Sequence, residues 1–167
     1  MSADRVRHRP ELPRGRRRRM ARLPVTFFRI GLGPLFGRRL LLLHHTGRVS
    51  GLDHHVVLEV VACDAESGHW TVASGFGPEA DWYQNLRATP KTTVQIGNRH
   101  YAVTARFLNE DESGAAMARY APARPRTARR LCAFMGFGTD GSTDSYHRIG
   151  RQIPFVRLVA EPGQLLP

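Results

Sequence analysis

Cysteine and lysine are scarce in this sequence of 167 residues, and several familiar signatures are missing from it. The two cysteines, Cys63 and Cys132, stand apart with no CxxC pair, so no disulfide framework is indicated and a cytoplasmic location is expected. Lys91 is the only lysine, and arginine therefore carries almost all of the positive charge. No GxGxxG fingerprint occurs, which argues against a Rossmann-type dinucleotide site.

Residues for covalent or acid–base catalysis are also lacking. Ser50 and Ser74 have no identifiable histidine–aspartate support, and Cys63 falls in a predicted apolar strand, where thiols are usually inert. No two carboxylates are placed as an acid–base pair. An enzyme with these residues would leave the difficult chemistry to a cofactor.

The excess of positive charge is concentrated at the amino terminus. Of the net charge of +11, residues 1–22 carry +7, through nine arginines opposed by Asp4 and Glu11. Such an excess suits nucleic acid, an anionic membrane or an anionic small molecule, or it simply keeps a tail solvated. The arginines at 16–19 have no aromatic residues between them for base stacking, and no nucleic-acid-binding motif follows, so no nucleic-acid partner is expected.

Composition divides the chain into three parts. Residues 1–20 are rich in arginine and proline and predict a disordered tail. Residues 21–39 predict an amphipathic helical segment with an aromatic face, because charges interrupt its apolar residues too often for a transmembrane span. That face either packs on the domain or rests on a membrane, so residues 1–39 could make a peripheral membrane contact. Residues 40–160 are the predicted cofactor-binding domain.

Hydrophobic runs separated by turn residues predict a mostly antiparallel β-barrel with flanking helices, an α+β fold. Hairpins join the strands, for example around Gly97 and Asn98, and no βαβ crossover is indicated. The predicted strands cover residues 40–45, 56–62, 70–74, 92–96, 101–107 and 154–159. The predicted helices cover residues 79–88, 111–120 and 126–137, with Asp111 as the N-cap of the second.

Histidine pairs at 44–45 and 54–55 raise the question of a metal site. The pairs could face each other across a hairpin. Neighbouring residues of a strand point to opposite faces, so each pair would offer only one ligand per face. We therefore expect no metal site.

The most informative segment is the loop at residues 46–51, with the sequence TGRVSG. Gly47 and Gly51 bracket it and allow positive φ, a conformation that L-residues rarely adopt. The backbone N–H groups between them, including that of Val49, can then point into one concavity, which is a common way to bind an anion.

Side chains in and after this loop add further donors. Arg48 supplies a planar donor fork for phosphate or carboxylate, and Ser50 supplies a hydroxyl. His54 follows at the start of the next strand and could contribute a further donor. The alternative for the loop alone is a polar hairpin with an exposed arginine.

Two segments later in the chain carry small or aromatic residues. The strand end Ala73-Ser74-Gly75 lacks bulky side chains and lets a flat ring approach the backbone, although an ordinary strand exit would look the same. Trp82 and Asn85 share one helix face, where the indole could wall a ring and the amide could bond the edge of a heterocycle. The alternative is a core tryptophan and a surface amide.

Together, these segments make the chain resemble the deazaflavin (F420)-dependent nitroreductase family, split β-barrel oxidoreductases that are common in actinobacteria. The shared elements are a leucine-rich strand followed by TGRxSG at 46–51, then VAS at 72–74, DWYQNLRAxP at 81–90 and IPFVRL at 153–158. The likeness covers residues 23–160.

The resemblance implies an FMN-binding-like split β-barrel that transfers a hydride from reduced F420 to an organic acceptor such as a quinone, a nitroaromatic or an enone. It implies that the loop holds the phosphate and acidic tail of the cofactor, while the strand end and the following helix hold its ring. The cofactor-binding residues expected on this basis are Arg48, Val49, Ser50, Gly51, His54, Ala73, Ser74, Gly75, Trp82 and Asn85. Tyr146 is the expected proton donor or acceptor-pocket residue.

Other functions fit the same residues. The barrel could use FMN in place of F420, or it could be a non-catalytic carrier of a cofactor or a lipid. An arginine-tailed accessory protein of membranes or nucleic acid is a further alternative. Split barrels often pair, so the chain could form a homodimer.

Overall fold

A computed structural model describes residues 23–166. The predicted disordered tail over residues 1–20 lies outside the described residues. Within the described part, six strands form a closed barrel in the order β1-β2-β3-β6-β5-β4, and every neighbouring pair is antiparallel, which confirms the predicted barrel. The strands are β1 Leu40–Thr46, β2 Asp53–Asp64, β3 His69–Ala73, β4 Lys91–Ile96, β5 Arg99–Phe107 and β6 Phe155–Ala160.

The interior of the barrel is filled by aliphatic and aromatic side chains. Leu41 and Leu43 on β1 are fully buried, and Val94 on β4 and Leu158 on β6 pack into the same core. Burying each such side chain stabilises the fold by about 1.5–3 kcal/mol relative to leaving it exposed. The barrel is thus a packed scaffold, and its loops are free to carry a site.

Five helices and two 3-10 turns flank the barrel in residues 23–166. The helices are α1 Leu23–Arg29, α2 Asp81–Ala88, α3 Glu110–Ala123, α4 Pro125–Phe134 and α5 Thr143–Gly150. The 3-10 turns are Gly33–Phe36 and Gly77–Glu79. Helix α5 is not among the predicted elements. Ser142 caps it, because its Oγ accepts a hydrogen bond from the Ser145 N–H at 3.1 Å.

The predicted N-cap of the second long helix is wrong. Helix α3 begins at Glu110, and its cap is Asn109, whose Oδ1 accepts from the Glu112 N–H at 2.9 Å. Glu112 Oε2 in turn accepts from the Asn109 N–H at 2.9 Å, so two otherwise unpaired donors are satisfied reciprocally. Asp111 lies in the first turn instead, and its Oδ1 accepts from Arg151 Nη1 at 2.5 Å.

Helices α3 and α5 approach each other closely at two glycines. A Cβ at Gly114 would lie 2.9 Å from the carbonyl oxygen of His147, and one at Gly150 would lie 2.5 Å from the Cβ of Met117. Larger residues at either position would force the helices apart. The close packing buries Tyr146 in a second hydrophobic cluster, distinct from the barrel core.

The described part of the predicted amphipathic segment, residues 23–39, has a buried side and an exposed side. Phe28 is buried and stacks on Phe36 with ring centroids 5.6 Å apart, whereas Ile30 and Leu35 are 63% and 76% exposed. No helix in the described part of the chain is long and apolar enough to cross a membrane. The membrane contact and the three-part division of the chain stay predictions.

Candidate functional site

A tight hairpin loop between β1 and β2 carries the first group of candidate residues. The Gly47 N–H donates to the Leu52 carbonyl, and the Gly51 N–H donates to the Gly47 carbonyl, both at 2.8 Å. Gly51 adopts a φ of 68°, in the left-handed region that favours glycine. These bonds fold the loop back on itself, so that it projects from the end of the barrel as a compact unit.

Gly47 is required because there is no room for a side chain at this position. It does not adopt a positive φ, as the sequence suggests it would. A Cβ at this position would collide with Ser50 Oγ and would lie 3.0 Å from His54 Nε2. The hydroxyl and the imidazole therefore converge over the backbone of Gly47. The Val49 side chain is 94% exposed, so this residue can contribute to the loop interior only through its backbone.

Arg48 is held in place by an amide from helix α2. Asn85 Oδ1 accepts two hydrogen bonds from Arg48, one from the backbone N–H at 3.1 Å and one from Nη1 at 2.9 Å. The same Nη1 lies 3.3 Å from Asp81 Oδ1. Asn85 is only 3% exposed, so the alternative of a surface amide is wrong and the amide acts as a buried clamp on the loop.

His45 completes this network from the barrel side. Asn85 Nδ2 lies 2.9 Å from His45 Nδ1, and because an amide nitrogen donates, Nδ1 is the acceptor and the ring is neutral. Burial, with smaller effects from His54 and His55, lowers the pKa of His45 to about 4. The sequence analysis did not single out His45 for this role, which depends on a partner 40 positions away.

This histidine predicts an acid-sensitive fold. Unfolded His45 titrates near its ordinary pKa of about 6.5, whereas the folded pKa is about 4, so the unfolded chain binds more protons between these values. The free energy of unfolding should therefore fall as the pH falls through this window, by about 2 kcal/mol at pH 5 from His45 alone. Urea unfolding at pH 7 and pH 5 measures the loss. His45→Gln should lose less stability between the two pH values than the natural chain, and an equal loss would contradict the assignment.

The strand end after β3 is fixed by hydrogen bonds. Ser74 is fully buried, its Oγ donates to the Gly77 carbonyl at 2.6 Å, and its N–H donates to the Pro154 carbonyl at 2.8 Å. The Ser74 hydroxyl thus shapes the turn that follows the strand. Ala73 is half-buried against the second hydrophobic cluster.

An aromatic pair that the sequence analysis missed lies over Gly75. A Cβ at Gly75 would lie 3.4 Å from the Phe134 ring, in ordinary van der Waals contact. Phe76 packs edge-on against Phe134 with centroids 5.4 Å apart, and Phe134 is 49% exposed. An exposed ring at the end of α4 and a glycine backbone together form an apolar ledge. We call these three residues the aromatic ledge.

Trp82 belongs to the barrel core. It is 7% exposed and packs edge-on against Tyr83 with centroids 5.8 Å apart. This placement agrees with the alternative of a core tryptophan. Its role toward a cofactor ring stays a prediction, and its evident contribution is to seat helix α2, which carries Asn85.

Tyr146 lies apart from the hairpin loop. Its ring is 4% exposed and packs in the second cluster with residues of α3, α4 and the start of β6. The half-buried Ala73 packs against the same cluster, which links this tyrosine to the strand end. A role in proton donation or acceptor binding stays a prediction.

The histidine pairs do face each other across β1 and β2. His44 pairs with His55, and His45 pairs with His54, with the latter two rings stacked at 5.6 Å. Within residues 23–166, no group of three or more histidine, cysteine, aspartate or glutamate side chains is arranged to hold a metal ion.

The two groups of candidate residues, the hairpin loop and the aromatic ledge, differ in chemistry. The loop presents the Arg48 guanidinium, the Ser50 hydroxyl and the His54 imidazole, which are donors suited to phosphate or carboxylate. Within the described residues, the Arg48 side chain uses only Nη1 for its bonds to Asn85 and Asp81, so other guanidinium N–H groups can reach a ligand. The aromatic ledge suits a flat ring. This arrangement fits a cofactor with an anionic tail and a planar head.

Comparisons with known proteins agree with this chemistry. The family model described as F420H(2)-dependent quinone reductase matches residues 21–130, which is more than half of the chain. A search of curated proteins finds no match. A solved structure described as F420-H2 dependent reductase FDR-A is 25% identical, covering 73% of this chain and 95% of its own, with a TM-score of 0.51.

Two further solved structures show the fold alone. The protein Atu2129 of Agrobacterium tumefaciens, described as of unknown function, is 16% identical and covers 91% of this chain and 59% of its own, with a TM-score of 0.54. The heme storage protein HutZ from Vibrio cholerae is 13% identical and covers 86% of this chain and 92% of its own, with a TM-score of 0.50. These likenesses confirm the predicted split-barrel fold.

Proposed function

The chain belongs to the F420H(2)-dependent quinone reductase family, and from this premise we propose that it transfers a hydride from reduced F420 to a quinone. Family membership confirms the predicted enzyme class, an F420-dependent oxidoreductase, and the predicted cofactor F420. The choice of a quinone among the expected acceptors, and the residue roles given below, are our proposals. The observation that carries the roles of the loop residues is the Asn85 clamp on Arg48, next to a loop whose donors suit an anion. The quinone is proposed from the description of the family.

The hairpin loop would hold the phosphate and acidic tail of F420. Arg48 supplies the charge, and the two bonds to Asn85 Oδ1 fix its direction before the cofactor arrives. A side chain that is ordered in advance loses less entropy on binding, so more of each hydrogen bond contributes to affinity. Ser50 and His54 would add neutral donors, and Gly51 leaves open space above the loop.

The aromatic ledge would receive the cofactor ring and the quinone. Phe134 covers the side of Gly75 where a Cβ would lie, and Phe76 and Phe134 offer apolar surface on which flat molecules can pack. The backbone of Ala73 and Ser74 continues this surface along the strand. A quinone needs no charged partner, so it fits the ledge better than it fits the cationic loop.

The protein's part in the reaction would be to position the reactants and exclude water. Reduced F420, when bound, supplies a hydride, which together with one proton converts a quinone into a hydroquinone. Holding both rings on one apolar surface replaces a bimolecular encounter by a fixed geometry. The proton would come from water or from the Tyr146 hydroxyl, whose ring lies in the cluster beneath Ala73.

Oxidation of reduced F420 by a naphthoquinone such as menadione tests the proposal. We expect the absorbance of oxidised F420 to return only when protein, reduced F420 and quinone are all present, at a rate that saturates in both ligands. Tight binding of F420 without turnover of any quinone would overturn the quinone proposal and favour the carrier alternative. Turnover with nitroaromatics alone would retain the enzyme and replace the acceptor.

Removing the exposed ring of the ledge should impair the acceptor selectively. We expect Phe134→Ala to raise KM for the quinone about 3- to 10-fold, because an aromatic contact contributes about 0.5–1.5 kcal/mol beyond its buried area. The dissociation constant of F420 should change less than about twofold. Arg129→Ala is the matched control, since Arg129 is an exposed residue of the same helix on a different face from Phe134. An unchanged KM in Phe134→Ala would place the quinone elsewhere.

Two expected partners remain proposals. A peripheral membrane contact through residues 1–39 is supported by the exposed Ile30 and Leu35, which lie near Arg29 and Arg38 in the sequence. Such a contact would bring the protein close to lipophilic quinones. The proposal of a homodimer rests on the frequent pairing of split-barrel proteins.

A further inference from the structure

An open cavity of about 620 Å³ lies at the amino-terminal end of helix α4, and its lining is dominated by arginine. Three arginines line it, Arg39, Arg124 and Arg126, together with Pro125 and Thr127. Positive charges gathered at one place repel each other, and a bound anion relieves that repulsion. The lining therefore favours a negatively charged occupant.

The protein supplies only part of that negative charge. Glu59 Oε1 lies 3.9 Å from Arg124 Nη1, which is an ion pair but too long for a hydrogen bond. Tyr120 already donates to the same carboxylate oxygen at 3.1 Å. Counting this one carboxylate against three guanidinium groups leaves an excess of two positive charges at the cavity.

One of the guanidinium groups has an unsatisfied donor. Arg124 Nη1 is buried from solvent and has no hydrogen-bond partner among residues 23–166, although the side chain as a whole is 36% exposed. A buried charged donor that makes no hydrogen bond is unfavourable. An anion bound in the cavity could accept a hydrogen bond from it.

The N-terminus of helix α4 also favours an anion in the cavity. Helix α4 has ten residues, its N-cap is Arg124, and no side chain in the described part of the chain caps it. Its first N–H groups, which include those of Arg126 and Thr127, have no carbonyl partner within the helix. They add to the positive end of the helix dipole at the cavity.

We propose that this cavity is a second anion site, separate from the F420 loop, which binds a ligand through a phosphate group. Arg39 and Arg48 lie beyond opposite ends of strand β1, on the order of 25 Å apart by the rise of an extended chain. A single F420 phosphate cannot occupy both places. The doubly negative, multidentate character of phosphate matches the excess of two positive charges and the forked guanidinium donors. The phosphate could belong to a soluble molecule or to a lipid headgroup, which have the same chemistry at the cavity.

Titration of the full chain with pyrophosphate at fixed ionic strength tests the site. We expect saturable binding by calorimetry, weakened about tenfold in Arg126→Gln, which loses one charge-assisted contact, and more in the double variant Arg39→Gln/Arg126→Gln. Both side chains are exposed, so the variants should keep the melting temperature of the natural chain. Arg130→Gln removes the same charge from the same helix outside the cavity and should bind pyrophosphate normally.

Several results would support or overturn the proposed anion site. Equal weakening in Arg126→Gln and Arg130→Gln, or no binding at all, would overturn the proposal, because either shows only general attraction to a basic protein. F420 affinity should be unchanged in Arg126→Gln, so the result is independent of the proposed function. Binding to phosphatidic acid vesicles but not to phosphatidylcholine vesicles, lost in Arg126→Gln and competed by pyrophosphate, would identify a lipid source. Pyrophosphate binding without vesicle binding would identify a soluble one.

Discussion

Arg48→Ala is expected to weaken the binding of oxidised F420 by about 10- to 100-fold while leaving the fold intact, because it removes a charge-assisted contact fixed in advance by Asn85. The side chain is 38% exposed, and its ion pair with Asp81 joins two exposed groups, so it contributes little to stability. The backbone N–H of Arg48 would still donate to Asn85 Oδ1 and hold the loop. Fluorescence titration gives the affinity, and thermal unfolding gives the stability.

Two matched variants of the same loop sharpen this prediction. Val49→Ala changes a fully solvated side chain and should bind F420 normally. Arg48→Lys keeps the charge but loses the planar fork, so its affinity should fall between those of alanine and arginine. A large fall in the melting temperature of cofactor-free Arg48→Ala would show a structural role instead. Unchanged affinity would place the anionic tail elsewhere.

Trp82→Ala is expected to destabilise the protein by about 3–5 kcal/mol, the usual cost of emptying a buried tryptophan site. Trp82 is nearly buried, packs on Tyr83 and belongs to the barrel core. Its loss should also loosen helix α2, and F420 affinity should fall because Asn85 on that helix orients Arg48. Urea unfolding measures the stability, with F420 titration carried out where the variant is still folded.

Trp82→Phe provides the control, since it keeps a ring in the core and should recover most of the lost stability. Normal stability in Trp82→Ala would mean that the indole is not a structural residue. Loss of F420 affinity without loss of stability would favour direct contact between the indole and the cofactor ring.

Local features of the sequence were sufficient to predict the barrel. The leucine run from Leu40, the turn at Gly97 and Asn98 and the glycines of the hairpin loop each act over a few residues, so their patterns can be read directly. Helix α5 was not predicted, because it is short and follows a stretch of glycine, serine and threonine that is typical of a loop. Its one signal was Ser142, a residue type that often caps helices.

The site was predictable only in part because its key contacts are distant in sequence. Arg48 and Asn85 were both predicted residues, but the sequence could not show that the amide binds the arginine instead of a cofactor. His45 contacts Asn85 only because the sheet fixes the position of β1 and helix α2 packs beside it, and the local sequence shows neither. Phe134 reaches Gly75 from the far end of another helix, a contact that no local spacing reveals.

The most direct test of the account is a fluorescence titration of the full natural chain with oxidised F420, carried out in parallel with FMN. We predict saturable quenching with F420 and no saturable binding of FMN, since the cationic loop is matched to a longer anionic tail. Saturable binding of FMN alone would contradict the account, although the barrel would remain that of a flavin enzyme. Binding of neither cofactor would contradict it more deeply and would leave the clamped arginine without a ligand.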